Sequence, residues 1–513
     1  MTTMFAFGTG THAESAVAVA AQSYKVGLAG IWYQWVMLFT LPLYWLLTPV
    51  FRRARVLTTA DFFERRFGAE FMLLYAIFAL YVTVSMTSVM LYGSARMLEA
   101  LTDGAISWQG MILLVAVVSF LYGIAGGLIA AVWNDFLQGF MTIVMSLLVI
   151  PFFWMRIGGL EGFRAGLSDP QETFRLVLSQ EMTLYWIIAM TFNSLISMLA
   201  QPHIMANVAS AKSEMDSRVG FISGMILKRL MTIPWALTGV MAIALFGAGK
   251  IDSDHAFGAM CRELLPSGFL GLMMACAMAS VMDNCAVNML SFAGIYSNSI
   301  HRRIMPAADE KTMVNVSRLA SLAFAVVSIG LSYAFTDVPA AMRFLWQTIP
   351  LMGIPFVIGL LWRRANRYGA FGSFLGALGA MLVGRYAFGW EGDVGLPKTI
   401  TLFIVTGVLT GIVISLVTKP ESKGLTDAFF LLLKTPIGQE HVLLEAGFSA
   451  MPGTNTFAPP AGVESRQDLG QYVDRIDQAR QRHEAVYGFI ALVLVVLGML
   501  AAVVLLARWL AGP

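Results

Sequence analysis

The sequence predicts an all-α polytopic membrane protein, and three observations carry that prediction. Of 513 residues, 58% are hydrophobic and only 13% are charged; the mean hydropathy is +0.71. Water-soluble chains of this length do not have such a composition. Apolar runs near the ~20 residues that a helix needs to cross a bilayer recur along the chain. The charges between those runs obey a single inside–outside parity. The formal net charge of +3 gives no reason to expect a nucleic-acid partner. Cys261, Cys276 and Cys285 suit neither a disulfide framework nor a zinc-site spacing. No basic region precedes an apolar run at the N-terminus, so no cleavable signal peptide is expected.

Residues 5–23, FAFGTGTHAESAVAVAAQS, open the chain. They are apolar, yet Gly8, Thr9, Gly10, Thr11, His12 and Glu14 crowd their first half. Glycines and hydroxyls in this pattern favour a broken helix whose freed carbonyls can coordinate a cation. A polar tail ahead of a short helix is the other reading. Spans are expected at 29–51, 72–99, 107–124, 128–155, 182–201, 220–247, 268–298, 316–336, 339–362, 368–390, 398–418 and 485–509. Alternation then places 52–68, 202–219, 299–315, 363–367 and 419–484 on one side. Lys212, Arg218, Arg302, Arg303, Arg363, Arg364 and Lys419 lie there, which makes it the cytoplasmic side. Asp103, Asp252, Asp254, Glu391 and Asp393 fall on the other. The 156–181 loop ends in DPQETFRLVLSQE, an amphipathic stretch expected on the membrane surface.

The domain organisation that follows is a transmembrane core over 1–418, a cytoplasmic polar segment over 419–484 and a last span over 485–509. Pro452, Gly453, Pro459, Pro460 and Gly462 mark a linker in the polar segment. VESRQDLGQYVDRIDQARQRHEAV (463–486) after it is expected to form a charged amphipathic helix with a solvated face.

Polar residues inside the spans are the candidates for function, because charge at membrane depth is costly and faces a bundle interior or a cavity. Asp135 stands in the apolar stretch 122–154, with Asn134 beside it and Gln138 one turn on. It is either such a buried carboxylate or a helix-end group at the headgroups. Helix 29–51 begins Trp32-Tyr33-Gln34-Trp35, an interfacial aromatic belt or a polar site. Helix 182–201 carries Asn193, Ser194, Ser197 and Gln201. Lys228 and Arg229 lie near the start of 220–247, where Lys228 either snorkels to the surface or faces inward. Helix 268–298 is the richest, with Ser280, Asp283, Asn284 and Asn288 among small alanines. Oxygen clusters of this kind suit a hard cation. No HExxH, nucleophile elbow or Walker A loop is present, so an enzyme is not expected.

Several stretches resemble the solute:sodium symporter family. LTTADFFERRFG (57–68) is similar to its cytoplasmic connector, and AGGLIAAVWNDFLQ (125–138) to its most specific signature. ANVASAKSEMDSR (206–218) resembles the loop after the sixth repeat helix. LMMACAMASVMDN…AGIY (272–296) resembles the ion-binding eighth repeat helix, and WRRANRYGAFGS (362–373) adds a weaker match. The resemblance covers nearly all of 5–418. It implies a leucine-transporter-like fold of two inverted five-helix repeats plus extra C-terminal helices.

By the same resemblance, carbonyls of Gly8 and Thr11 would meet Cys276, Ala279 and Ser280 around a sodium ion. One hydroxyl is missing at Ala279. Asp135 would lie by the cation route. Glu14, Ser15, Gln34, Gln201 and Lys228 match positions that contact substrate in sugar-transporting members. YQW at 33–35 departs from the YEW found there, so a sugar is not implied. Family members also have a leading helix and the first half of the first repeat helix ahead of the point where Met1 falls, so this chain is expected to lack both.

The expected function is sodium-coupled symport of a small polar organic solute by alternating access, with Na+ as coupling ion. A proton-coupled carrier, a channel and a sensor signalling through 419–484 are the alternatives; no output motif supports the last. The expected partners are that solute, sodium and membrane lipid. The expected location is a bacterial inner membrane.

Overall fold

The computed structural model describes residues 13–56, 58–202, 208, 211, 213–450, 456–460, 462–466, 468–475 and 479–512; side chains of 122–137, 283, 473–475 and 479–482 lie outside that description. Ten helices among the described residues are long and apolar enough to cross a membrane. Apolar surface against lipid gains nothing by burial, so backbone hydrogen bonding dictates the helices and polar contacts select their packing.

Local signals in the sequence account for many helix starts. Thr183, Ser213, Asp309, Asp337 and Asn366 each stand at an N-cap and accept from a backbone N–H of the first turn. Thr58 and Asp61 form a reciprocal capping box that starts the amphipathic Thr59–Phe67 helix of the connector.

The first described span is broken. Ala13–Val26 is α-helical, then 3₁₀ segments Gly27–Ile31 and Val36–Thr40 flank the single α-turn Trp32–Trp35, and Leu41–Arg53 resumes the helix. The tighter 3₁₀ winding turns the chain at its polar residues. Gly27 makes the first bend possible, since its φ is +72° and a Cβ there would lie 2.3 Å from the Thr173 carbonyl oxygen. The surface segment expected over 169–181 therefore caps this bend, with a short helix only at Pro170–Thr173 and a bond from Trp32 Nε1 to the Leu176 carbonyl at 2.6 Å.

Two expectations need correcting. The spans expected at 107–124 and 128–155 form one helical run, Trp108–Ile157, because the intervening Gly-Gly pair does not end the helix. The charged stretch 463–486 is not one amphipathic helix: it folds as 3₁₀ turns at Val463–Ser465 and Leu469–Arg475, and the next helix, Ala479–Ala511, runs into the last span. Leu469 and Val463 are drawn instead into a small apolar cluster with Leu431, Leu443 and Phe448.

The connector pins one end of the bundle. Phe62 stacks on Phe356 at 4.1 Å, and Arg66 donates to the carbonyls of Gly359 and Ala365, both at 2.9 Å. Arg55 donates to the carbonyls of Thr435 and Pro436 at 2.9 and 3.0 Å and to Glu440 at 3.1 Å. Arg55 and Arg66 thus hold backbone carbonyls of distant segments together, and Arg363 pairs with the Asp427 carboxylate.

Candidate functional site

The Ala13–Val26 helix lies at the centre of the bundle, and Glu14 to Tyr24 are all buried. Glu14 is 4% exposed, and its Oε2 has no partner among the described residues. Lys228, partly buried on the Glu214–Phe246 helix, is close enough to act on Glu14 electrostatically. Ser15 is buried beside Glu14. Glu14 approaches the Ala69–Leu101 helix at Gly93, where a side chain would collide with it.

Gln34 sits in the α-turn between the two 3₁₀ segments and is buried. Both its backbone carbonyl and its Oε1 accept from Arg229 Nη1, the second at 3.2 Å. Trp35 Nε1 returns a bond to the Arg229 carbonyl at 2.9 Å. Trp32, Tyr33 and Trp35 are all buried, so the aromatic cluster is not an interfacial belt. Tyr33 packs edge-on to Trp346 at 4.8 Å, and its hydroxyl donates to Asp393 at 2.9 Å while accepting from Arg343 at 3.1 Å. These ties use aromatic quadrupole and charge-assisted hydrogen bonds to hold the bend.

Two consecutive residues of the Glu214–Phe246 helix thus meet the broken span: Lys228 acts on Glu14, next to Ser15, and Arg229 bonds Gln34. Gln201 is the exception: it stands at the C-cap of Leu184–Ala200, half-buried, with no described hydrogen bond to the other four. Arg229 was not assigned a role from sequence, because it looked like a near-surface charge. The helix begins at Glu214, six residues earlier than expected, which puts Arg229 about 22 Å along the axis at 1.5 Å per residue.

On the cation side, Cys276 and Ser280 line a cavity of about 40 Å³ together with Ala13, Ala16, Thr142 and Ser146. Ser280 Oγ is buried without a partner among the described residues, although a buried hydroxyl normally bonds. Asn284 Nδ2 donates to the Ser280 carbonyl at 2.9 Å, and Asn288 is turned away to Thr87 Oγ1 at 3.0 Å. Ala279 is half-buried. Gly8 and Thr11 lie outside the described residues, as do the side chains of Asp135 and Asp283. Sequence reading passed over Thr142 and Ser146; their one-turn spacing, four residues apart on an apolar helix, was the available signal.

The comparisons with known proteins bear on the family and the fold. A model of the sodium:solute symporter family matches residues 1–377. A sodium/glucose cotransporter of Vibrio parahaemolyticus is 25% identical over 396 residues, covering 70% of this chain and 72% of that protein. Sodium/glucose cotransporter 1 of Oryctolagus cuniculus is 24% identical over 482 residues, covering 79% of this chain and 70% of its own length. Among solved structures, a substrate-bound, outward-open Na+-coupled sialic acid symporter aligns with a TM-score of 0.69 at 16% identity, over 82% of this chain and 89% of that one. Mhp1, a nucleobase-cation-symport-1 family transporter in a closed conformation, aligns with a TM-score of 0.54 at 11% identity, over 83% and 94% of the two chains. The fold is thus the leucine-transporter-like one, multi-pass and helical. Members of the matched family are sodium-coupled transporters rather than enzymes, and sodium fits as the coupling ion here. The chain belongs to the sodium:solute symporter family.

Proposed function

We propose that this protein imports a small polar organic solute by alternating access, driven by the sodium gradient. The observation that carries the reading is the buried Ser280 hydroxyl, without a partner among the described residues, in a cavity beside Cys276 that reaches the first span at Ala13 and Ala16. A hydroxyl kept free at that depth suits a cation that arrives and leaves. Cys276, Ala279 and Ser280 would contribute to the ion site, with Gly8, Thr11 and Asp135 as the remaining candidates. Glu14, Ser15, Gln34 and Lys228 would face the solute, and Gln201 would join them only in another state of the cycle. The ion is worth roughly 2.3 kcal/mol per charge for each 100 mV of membrane potential. We assign 1–418 to the transporting core, 419–484 to the cytoplasm and 485–509 to a final span in lipid, within a bacterial inner membrane.

The test is a thermal-shift screen of purified protein against sugars, amino acids, carboxylates and nucleosides, in sodium and in potassium. Ligand that binds the native state raises the melting temperature by mass action. A solute whose stabilisation needs sodium, and which then accumulates in proteoliposomes under a sodium gradient, supports the proposal. Uptake driven by a pH gradient alone, or flux that never exceeds equilibration, would remove it.

A further inference from the structure

Arg229 is fully buried in the middle of a span, and it has no carboxylate partner among the described residues. Nη1 is used on Gln34. Nε and Nη2 are both buried and have no acceptor among the described residues. Those two atoms form one edge of the guanidinium, a pair of parallel N–H donors that matches the two oxygens of a carboxylate. The same chain shows what this edge does when an acid is present. Arg53 places Nε and Nη2 on the two oxygens of Glu214 at 2.9 and 2.7 Å, and Arg466 uses the same pair on Asp468.

The surroundings do not neutralise the charge. Lys228, the preceding residue, is itself basic and offers Arg229 no counter-charge. Glu14 is the acid that acts on Lys228, and its second oxygen is itself unpartnered. No described ion pair joins Arg229 to Glu14 or to any other acid. Two other buried arginines are well supplied with acceptors: Arg66 by the Gly359, Trp362 and Ala365 carbonyls, and Arg55 by Thr435, Pro436 and Glu440. An arginine left uncompensated inside a bundle is costly, and such residues mark solute pathways.

We propose that the free Nε/Nη2 edge of Arg229 receives the carboxylate of the transported solute, so that the cargo is an organic carboxylate rather than a neutral polyol. This rests on the symport reading above and names its substrate class. Gln34 orients the guanidinium through Nη1 and leaves the acid-binding edge directed away from itself. Broken-helix geometry places that fork beside Gln34, on the same span that carries Glu14 and Ser15.

The experiment compares matched pairs on the purified full chain: D-glucuronate with D-glucose, L-lactate with 1,2-propanediol, and L-proline with L-prolinol. Each is titrated in sodium and in potassium and read by thermal shift. The expected result is stabilisation by at least one carboxylate and none by its neutral partner. In Arg229→Gln the affinity for that carboxylate falls roughly 10- to 100-fold, as loss of a charged hydrogen-bond pair does. Arg229→Lys, which keeps the charge but not the fork, also weakens it. The sodium-only shift stays in both variants, which shows that they fold. If Arg229→Gln does not fold, the wild-type pairs and Arg229→Lys decide. Neutral partners that stabilise as well as the acids, no response to any carboxylate, or an unchanged affinity in Arg229→Gln would overturn the inference. Neutral solutes that bind only with sodium would leave symport standing. Arg229-dependent carboxylate binding that is equal in potassium would do the reverse.

Discussion

Glu14 and Gly93 touch with no room for a side chain between them: a Cβ at Gly93 would lie 2.3 Å from Glu14 Cβ. The Ala69–Leu101 helix can approach the broken span this closely only because position 93 is glycine, as small residues permit elsewhere in membrane bundles. Gly93→Ala is therefore expected to push the two helices apart, cost about 1–3 kcal/mol by overpacking, and reduce uptake. Gly379→Ala, a helical position with nothing within 4 Å, should be neutral or slightly stabilising. Melting curves of the two variants check this, and equal losses would contradict it.

Ser280→Ala should weaken sodium binding more than Asn288→Ala does. Ser280 offers a free hydroxyl to the cavity, whereas Asn288 is already bound to Thr87 at 3.0 Å. Asn288→Ala should instead lower stability by about 1 kcal/mol, the worth of one hydrogen bond. Sodium titrations followed by thermal shift separate the two effects. Superimposable sodium curves would argue against Ser280 as a ligand.

Asp135→Asn should greatly reduce sodium-coupled uptake while the protein still reaches the membrane. The residue lies on the Trp108–Ile157 helix, eleven residues short of Ser146, which lines the cavity beside Cys276. Removing an intramembrane carboxylate removes the charge that a travelling cation needs. Uptake rates across a sodium series measure this, and an unaltered sodium dependence in the variant would refute it.

Asp254 makes stability depend on pH at the end of the bundle that carries Asp252 and Asp337. It lies outside the spans, on the loop before Ala256–Leu264, and accepts from the Val338 N–H at 2.9 Å. Burial pushes its carboxyl up from 3.8 to about 6, reinforced by Asp252 and Asp337 and opposed by Arg96 and the Val338 bond. Glu99, His255 and Tyr92 belong to the same cluster. The folded state thus holds a proton that the unfolded state has released between about pH 4 and 6. Stability from this group is complete below pH 4 and is lost as pH rises through 6, by at most about 3 kcal/mol at 1.36 per unit. Asp254→Asn should flatten that part of the melting temperature profile relative to wild type. Parallel profiles between pH 4 and 7 would exclude this role.

Much of the molecule follows from local chemistry. Helices form wherever ~20 apolar residues run together, because lipid cannot satisfy a bare backbone. Starts are set by caps such as Ser213 and Asn366, and sidedness by arginines such as Arg363 and Arg364. Ser280 and Glu14 were readable as candidates because polar groups at depth are rare. Periodicity cannot report whether a polar group meets a partner, since partners lie far away in sequence. Arg229 reads like any charge near a helix end; only the packing of the Glu214–Phe246 helix against Gln34 reveals a buried guanidinium with one edge unspent. Trp32, Tyr33 and Trp35 likewise resemble a lipid-interface belt until the 3₁₀ bend turns them inward. The apolar pattern determined which segments are helices, through the solvation of the backbone. Tertiary structure decided which of their polar atoms are left free, because that depends on neighbours hundreds of residues apart.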